Sequence, residues 1–228
     1  MHLLAIETST EACSVALWID GDVRERHEVT PRRHTQLALP WAEELMAEAG
    51  IARARLDAIA VGRGPGAFTG VRLGIALAQG IALALDRPLL PVSTLAVLAM
   101  QGRTPAIVAA IDARMGEIYA GAFRRGDDGL VVPTGPETVA APDDVPRPHD
   151  TVSAVGTGFA AGGGLLATRF GAQVAQLDAA ARPHAADLAR LAEAMWRRGE
   201  AVAPERVEPA YLRDKVALTL AEQGKATP

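Results

Sequence analysis

Two acidic residues stand at the ends of apolar segments that are typical of buried β-strands. Glu7 follows residues 3–6 (LLAI), and Asp112 follows residues 107–111 (IVAAI). A carboxylate at such a strand end can hold Mg²⁺ or orient a reactive water for phosphoryl transfer. It can equally accept hydrogen bonds from the turn that follows, and Asp112 can pair with Arg114. We favour the capping interpretation and keep Glu7 and Asp112 as candidate nucleotide-binding residues.

A glycine-rich loop at residues 62–70 (GRGPGAFTG) is the second candidate site. Its first six residues fit the dinucleotide pattern G-x-G-x-x-G/A, in which glycine lets the backbone approach a phosphate closely. Pro65 removes one amide donor, and the loop is followed by Val71-Arg72, where a Walker A loop needs Lys-Ser/Thr. Two interpretations stay open, a phosphate-binding loop using Gly64 and Gly66 or a rigid strand-to-helix turn.

The helix predicted over residues 71–85 carries two rows of small residues and is apolar nearly all round. Rows of small residues let another helix pack closely. A helix that is apolar on all faces is expected to be buried on both sides. One side should face the sheet of its own lobe, and the other a partner protein or the preceding helix of the same chain. The candidate interface consists of Leu37, Trp41, Leu45, Gly70, Gly74, Ala76, Gly80 and Leu83.

Other catalytic chemistry finds little support in the sequence. The five histidines include no pair at the spacing of helical metal ligands, and neither H-E-x-x-H nor G-x-S-x-G occurs. The only lysines are Lys215 and Lys225, which excludes a P-loop or Schiff-base lysine in the body of the fold. We therefore expect no metal site, no catalytic residue and no tightly bound cofactor.

The elements that would position these residues form a repeated pattern. The order of predicted elements is βββαβα, with an Asp20-Gly21 hairpin turn and a helix that ends before Gly50. Residues 6–7 and 21–22 recur 105 positions later, and residues 59–64 recur 94 positions later, with a proline-rich stretch at 142–148 in place of the first helix. The sequence thus predicts a duplicated α/β unit, with lobes at 1–103 and 104–228. A tail helix at 185–198 is also predicted, and whether it packs back on the first lobe is left open.

The charge and the composition of the chain limit the kinds of partner that it can bind. The chain has 228 residues, a net charge of −4, and only four phenylalanines, three tryptophans and two tyrosines, which is poor for gripping nucleic acid unaided. Cys13 is the only cysteine, and the N-terminus lacks a basic region followed by a long apolar run. The apolar stretch 71–85 is shorter than the ~20 residues of a membrane span. We expect a cytoplasmic protein that does not enter a membrane.

Four segments together resemble the bacterial TsaB (YeaZ) family: 3–9 (LLAIETS), 64–74 (GPGAFTGVRLG), 111–119 (IDARMGEIY) and 209–213 (PAYLR). The resemblance implies a duplicated actin-like, sugar-kinase-like (ASKHA) fold. It also implies a non-catalytic partner of TsaD, the enzyme that places threonylcarbamoyl on adenosine 37 of tRNAs reading ANN codons. TsaE would join the complex, tRNA would be met only through it, and the chain alone would form a homodimer through its N-lobe helices. ATP and Mg²⁺ would act only at the level of the complex.

The sequence differs from TsaD at one motif and departs from the TsaB pattern at two positions. TsaD carries a metal-binding His-x-x-x-His, whereas this chain has His34 followed four residues later by Ala38. The incomplete pair argues against the peptidase M22 label given to similar sequences. Glu7 replaces the usual aspartate and Ala67 the usual serine. The alternatives are an independent nucleotide-binding enzyme of the same fold and, less favoured, an M22-type metallopeptidase.

Overall fold

A computed structural model describes residues 1–213, so Lys215, Lys225 and the end of the second predicted lobe lie outside the described residues. The first half of the chain forms β1 (His2–Glu7), β2 (Ala12–Ile19), β3 (Asp22–Val29), α1 (His34–Glu48), β4 (Ala58–Gly62), α2 (Phe68–Leu85), β5 (Leu89–Val92) and α3 (Thr94–Ala99). The second half forms β6 (Ala106–Arg114), β7 (Glu117–Arg125), β8 (Val131–Pro133), β9 (Thr138–Ala140), β10 (Val152–Val155), α4 (Leu165–Phe170), β11 (Val174–Asp178) and α5 (Ala185–Arg197).

The two halves build two sheets with the same strand order. The first sheet runs β3-β2-β1-β4-β5 and the second runs β8-β7-β6-β10-β11. In each sheet the first strand of the unit pairs antiparallel with the second and parallel with the fourth. The predicted duplication and α/β class are therefore confirmed.

Each unit closes with one more strand and one more helix, β5 with α3 in the first unit and β11 with α5 in the second. Sequence reasoning missed β5, α3 and β11, whereas α5 (Ala185–Arg197) confirms the tail helix predicted over residues 185–198. Strand β5 has only four residues, contains Pro91 and follows Pro88, so its composition is typical of a loop. Strand β11 lies at the sheet edge and is largely exposed, which removes the apolar signal of a buried strand.

The closing helices are exchanged between the two sheets. Helix α3 packs on β6 and β7 of the second sheet, whereas α5 packs on β1 and β2 of the first. The structure has five layers. In order, they are the helices α1 and α2, the first sheet, the helices α3 and α5, the second sheet, and the helix α4. The central core therefore draws on both halves of the chain, and neither half keeps both faces of its sheet covered by itself.

Strand β1 shows how the sequence produces these layers. Leu3 and Ala5 face the central core, whereas Leu4 and Ile6 face the outer core under α1 and α2. Successive strand residues point to opposite faces, so a strand covered by helices on both sides is apolar throughout. Because both faces of β1 are packed in the two cores, Glu7 at the end of the strand has a fixed position.

In the first half of the chain, the structure agrees closely with the turns and helix ends predicted from the sequence. The β2–β3 turn has positive φ at Asp20 and Gly21, as a type I′ hairpin requires, and Gly50 has φ +66° just after α1. Helix α2 begins at Phe68, three residues before its predicted start. In the second half, residues 142–148 form turns and coil where the first half has α1.

Candidate functional site

The glycine-rich loop between β4 and α2 is held by its own chain. The Gly64 amide donates to Thr94 Oγ1 at 3.1 Å, the Thr94 amide donates to the Gly64 carbonyl at 2.9 Å, and the Ala67 amide donates to the Ser9 carbonyl at 2.7 Å. A phosphate cradle needs free amide donors, and two of the loop's donors are already occupied. The geometry favours the rigid-turn interpretation of Gly64 and Gly66.

Glu7 is sealed beneath this loop. One carboxylate oxygen accepts a hydrogen bond from the Ser9 amide at 2.6 Å, and Thr94 Oγ1 donates to the other at 3.3 Å. A Cβ on Gly62 would lie 1.9 Å from the Glu7 carboxylate, so only glycine fits beside it. Burial raises the pKa of Glu7, and the hydrogen bonds from Ser9 and Thr94 oppose that rise. Glu7 caps the turn after β1, which is the interpretation favoured from sequence.

Glu7→Gln is expected to stabilise the protein more at pH 8 than at pH 5. Because the pKa of Glu7 is raised in the folded state, the wild type loses stability as pH rises from about 4.5 through the folded-state pKa. Glutamine keeps an oxygen for the Ser9 amide and does not ionise. Urea unfolding midpoints of both proteins at the two pH values measure the difference. A gap that does not change with pH would contradict the assignment.

Asp112 lies at the mouth of a cleft between the lobes. Its carboxylate accepts from the Arg114 amide at 2.8 Å and pairs with the Arg114 guanidinium at 3.2 Å, and Arg114 also contacts Glu11 at 3.2 Å. The cleft has a volume of about 340 Å³, and Gly66 and Asp112 line it, whereas Glu7 and Gly64 do not. Of the four candidate nucleotide-binding residues, two therefore reach the cleft.

The segment 209–213 crosses this cleft and ties both lobes together. The Ala210 amide donates to the Arg63 carbonyl at 2.8 Å, and Arg72 donates to the Tyr211 hydroxyl at 2.7 Å. Arg213 donates to the Ala113 carbonyl at 3.1 Å. Sequence reasoning used the Tyr-Leu-Arg tail only as a mark of resemblance and missed its contact with Arg72. A link across about 140 residues leaves no trace in local spacing.

His34 has a structural role at the start of α1. Its Nε2 lies 3.0 Å from the Thr10 carbonyl and 3.2 Å from the Ala12 carbonyl. A nitrogen that contacts carbonyl oxygens must carry the proton, so it has no lone pair to offer a metal. Ala38, one turn later, is fully buried in the outer core. The incomplete His-x-x-x-His pattern therefore corresponds to packing and capping.

The structure groups two histidines that sequence spacing kept apart. The His27 and His184 rings stack at 3.9 Å between centroids, and His184 Nδ1 lies 3.0 Å from a Glu25 carboxylate oxygen. The hydrogen bond to Glu25 raises the pKa of His184, while burial lowers the pKa of His27. Burial alone would raise the pKa of Glu25, but hydrogen bonds from His184, Ala186 and Ser14 bring it below its ordinary value. Residue spacing does not predict this pair, because the two histidines are 157 positions apart in the sequence.

The predicted interface residues divide between the interior and the surface. Leu45 is fully buried in the outer core, and Gly70 and Gly74 pack closely against Thr8. These three residues contact their own chain and must be removed from the candidate interface. Leu37 and Trp41 are partly buried against the outer core.

The remaining members lie on the outer side of α2. Ala76, Gly80 and Leu83 are exposed, with Leu83 65% exposed, and a Cβ on Gly80 would meet nothing within 4 Å. They recur at i, i+4 and i+7, so they share one helix face. We call Ala76, Gly80, Leu83 and the exposed Ala84 the α2 face. The sequence predicted that this chain or a partner covers both sides of α2. In the structure, this chain covers one side and leaves the α2 face exposed.

Among residues 1–213, α2 is also the one helix whose length and composition would suffice for a membrane span, with a mean hydropathy of 1.6. Its Val71, Ile75 and Ala78 side chains belong to the outer core, and the helix packs on β4. A core helix of a folded domain meets the same criteria, so this observation carries little weight for a membrane role.

Comparison with known proteins identifies relatives over nearly the whole chain. A family model described as "TsaD: tRNA N6-adenosine threonylcarbamoyltransferase" matches residues 27–220. The tRNA threonylcarbamoyladenosine biosynthesis protein TsaB of Escherichia coli (strain K12) is 40% identical over 225 residues, covering 95% of this chain and 96% of that protein. The protein of the same name from Haemophilus influenzae is 36% identical over 229 residues, covering 95% of each chain.

Solved structures agree with these sequence relatives. The structure described as YeaZ from Pseudomonas aeruginosa superimposes with a TM-score of 0.85 at 45% identity, covering 92% of this chain and 99% of that one. A second structure, described as a protein with similarity to peptidase YEAZ from the same organism, gives a TM-score of 0.86 at 45% identity, covering 93% and 99%. The repeated strand order, the capped acid at the end of β1 and these relatives together lead to one conclusion, that the chain belongs to the TsaB (YeaZ) family.

Proposed function

We propose that this protein is a non-catalytic partner of TsaD in forming N6-threonylcarbamoyladenosine at position 37 of tRNAs that read ANN codons. The observation that carries the proposal is the α2 face, an apolar helix surface left open by the fold. Ala76, Gly80 and Leu83 would be covered by TsaD, and the small side chains would let a partner helix approach closely. Without TsaD, a second copy of this chain would cover the same face.

The geometry of the candidate chemical groups supports a role without catalysis. Glu7 is buried and caps the turn after β1, and Asp112 is paired with Arg114. The Gly64 and Ala67 amides, which a phosphate would need, hold Thr94 and Ser9. Phosphoryl transfer requires groups free to bind Mg²⁺ and phosphate. Three of the candidate groups, Glu7, Asp112 and the Gly64 amide, already have partners within this chain.

The partners and location follow from the same proposal. The net charge of −4 disfavours direct grip on tRNA, so the tRNA would be held mainly by TsaD in the assembled complex. TsaE would act on that complex, and ATP with Mg²⁺ would be used at that level rather than bound tightly by this chain. The work would take place in the cytoplasm, where tRNA is modified.

An independent nucleotide-binding enzyme is the competing function, favoured by the cleft beside Asp112. A volume of about 340 Å³ falls within the range of small-molecule sites. Two of the three arginines that line the cleft have acidic partners, since Arg114 pairs with Glu11 and Asp112, and Arg213 with Glu117. The third, Arg72, donates to the Phe68 carbonyl and the Tyr211 hydroxyl and has no acidic partner among the residues that the structure describes. One arginine without an acidic partner supplies less positive charge than a triphosphate would use. Calorimetric titration of the isolated protein with Mg-ATP tests this alternative.

Reconstitution of the modification in vitro is the decisive experiment. We expect tRNA incubated with TsaC, TsaD, TsaE, threonine, bicarbonate and Mg-ATP to gain threonylcarbamoyl at a rate at least about tenfold higher when this chain is present, since a required partner acts by completing the complex. Liquid chromatography with mass spectrometry of the digested tRNA measures the product. An equal rate without the chain would contradict the proposal.

The matched control is Asp112→Asn, because asparagine can still accept the hydrogen bond from the Arg114 amide. The variant should support the same rate as the wild type. A loss of product with an intact complex would indicate that Asp112 takes part in catalysis and would favour the competing function.

A further inference from the structure

A second group of polar side chains lies where β3 meets the start of α5, away from the cleft. Glu25 and His27 come from β3, and His184 is the residue before α5. One ligand atom from each of the three lies within 4.8 Å of the others. None of the three lines the cleft beside Asp112. Two imidazoles and a carboxylate are a donor set that binds metals of the zinc type.

An unpaired atom in this group indicates that something is missing from it. His27 Nδ1 is buried and has no hydrogen-bond partner among the residues that the structure describes. A buried polar atom without a partner costs free energy, so such atoms are rare unless a ligand or water completes them. The ring that carries this atom stacks on His184, whose own ring nitrogen already contacts Glu25.

We propose that Glu25, His27 and His184 bind one divalent cation of the zinc class. Zinc bonds to imidazole nitrogen and carboxylate oxygen are about 2.0–2.2 Å long, which places neighbouring ligand atoms of a tetrahedral site about 3.4 Å apart. His184 Nδ1 and the Glu25 oxygen are already 3.0 Å apart, and no two of the ligand atoms are more than 4.8 Å apart, so the widest pair would have to close by at most about 1.4 Å. Side-chain torsions can supply that movement. A water would occupy the fourth position.

Binding must break the histidine stack. The two rings lie only 11° from parallel, so their lone pairs do not converge on one point. His27 stands on β3, which is the edge strand of the first sheet, and its side chain is only partly buried. Its ring can therefore turn without moving the core. Arg182, whose positive charge acts on His27, pairs with Glu11 at 3.4 Å, which reduces its repulsion of a metal ion.

The cation would join two parts of the chain that are distant in sequence. The second oxygen of Glu25 accepts from Ser14 Oγ at 2.7 Å and from the Ala186 amide at 3.0 Å, and Ser14 Oγ accepts from the Ala185 amide at 2.9 Å. The start of α5 is thus already attached to β2 and β3. A metal bridging Glu25, His27 and His184 would strengthen this attachment, and it would raise the thermal stability of the protein.

Titration of the metal-free, tag-free full chain with Zn²⁺ and with Co²⁺ tests the proposal. We expect one ion per chain, a visible Co²⁺ absorption band of a tetrahedral site, and a higher melting temperature with Zn²⁺. His27→Gln and His184→Gln should each weaken Zn²⁺ binding by about tenfold or more, because each removes one ligand. His149→Gln, at an exposed position outside the group, is the matched control and should bind as the wild type does.

Two results would overturn the proposal: no ion bound by the wild type, or unchanged affinity in the His27→Gln protein. Circular dichroism shows whether each variant is folded. His27 lies on an exposed edge strand, so its replacement leaves the core intact even if His184→Gln destabilises α5. Equal loss of binding in His149→Gln would place the ion elsewhere and would also contradict the assignment.

Discussion

Replacing Leu83 by arginine is expected to abolish association with TsaD and to reduce threonylcarbamoyladenosine formation by more than about tenfold, while the protein stays folded. Leu83 is 65% exposed on the α2 face, so a surface substitution there should change stability by no more than about 0.5 kcal/mol. In the complex, the arginine would be buried against an apolar partner without a counter-charge, which is strongly unfavourable. Size-exclusion chromatography of the mixed proteins and the tRNA assay measure the two effects.

Leu177→Arg is the matched control for this prediction. Leu177 is also an exposed leucine, at 51%, but it lies on β11 at the edge of the second sheet. The same change of side chain there should leave association and modification intact. If Leu177→Arg separates the proteins and Leu83→Arg does not, TsaD is held by the second lobe and the proposed interface is wrong.

The same substitution also distinguishes the partner from a second copy of this chain. Without TsaD, the wild type is expected to form a homodimer through the α2 face, and Leu83→Arg should make it monomeric. Light scattering of the isolated proteins measures this. A homodimer that survives Leu83→Arg would show that self-association uses another surface, even if TsaD binding is lost.

The duplicated architecture was predictable because its signals are local. Asp20-Gly21 needs positive φ at both positions, and the recurrence of short strings at two offsets in the right order predicted the second unit. Strand β5 was missed because Pro88 and Pro91 indicate a loop, although the parallel neighbour β4 fixes it in the sheet. Pairing with a distant strand overrode local preference.

The exchange of α3 and α5 between the sheets could not be predicted from sequence. Both helices are apolar on the faces that enter the central core, and any sheet with an apolar face would accept them. Which sheet each one meets depends on the connections around it. The sequence therefore predicts that α5 is an amphipathic helix, and only the fold shows that Ser14 and Glu25 hold its start.

The sequence predicted the roles of some candidate residues, but it predicted only part of where they lie in the fold. The capping role of Glu7 followed from its place at a strand end, whereas the sequence left the glycine-rich loop open between a phosphate-binding loop and a rigid turn, and the bonds of Gly64 favour the turn. The two rows of small residues on α2 were both found, but their roles could not be assigned because both rows suit close packing. The meeting of His27 with His184 had no sequence signal, since they come from opposite ends of the chain.

Gly70 and Gly80 belong to different rows of small residues on α2, and replacing each by alanine is expected to have opposite effects on stability. Gly70→Ala should destabilise the protein by roughly 1–3 kcal/mol or more, because the added Cβ would lie 2.2 Å from the Thr8 carbonyl oxygen. The Thr8 oxygen is a backbone atom, and the helix backbone fixes the position of the added Cβ, so α2 must move away from the end of β1. That movement would also strain the hydrogen bond of 2.8 Å from Thr8 Oγ1 to the Gly70 carbonyl. Gly80→Ala in the same helix should instead stabilise the protein by up to about 1 kcal/mol, because alanine favours the helix and a Cβ there meets nothing within 4 Å.

Chemical unfolding of the two variants, each as the isolated protein at a concentration too low for the homodimer to form, measures both signs in one experiment. Because the residue type, the substitution and the helix are the same, helix propensity favours alanine in both variants, and the packing of each face decides the difference. Equal stabilisation by Gly70→Ala and Gly80→Ala would mean that α2 does not press on β1 as the structure has it. Destabilisation by both would mean that the α2 face is already covered in the free protein, and the surface proposed for TsaD would then have to lie elsewhere.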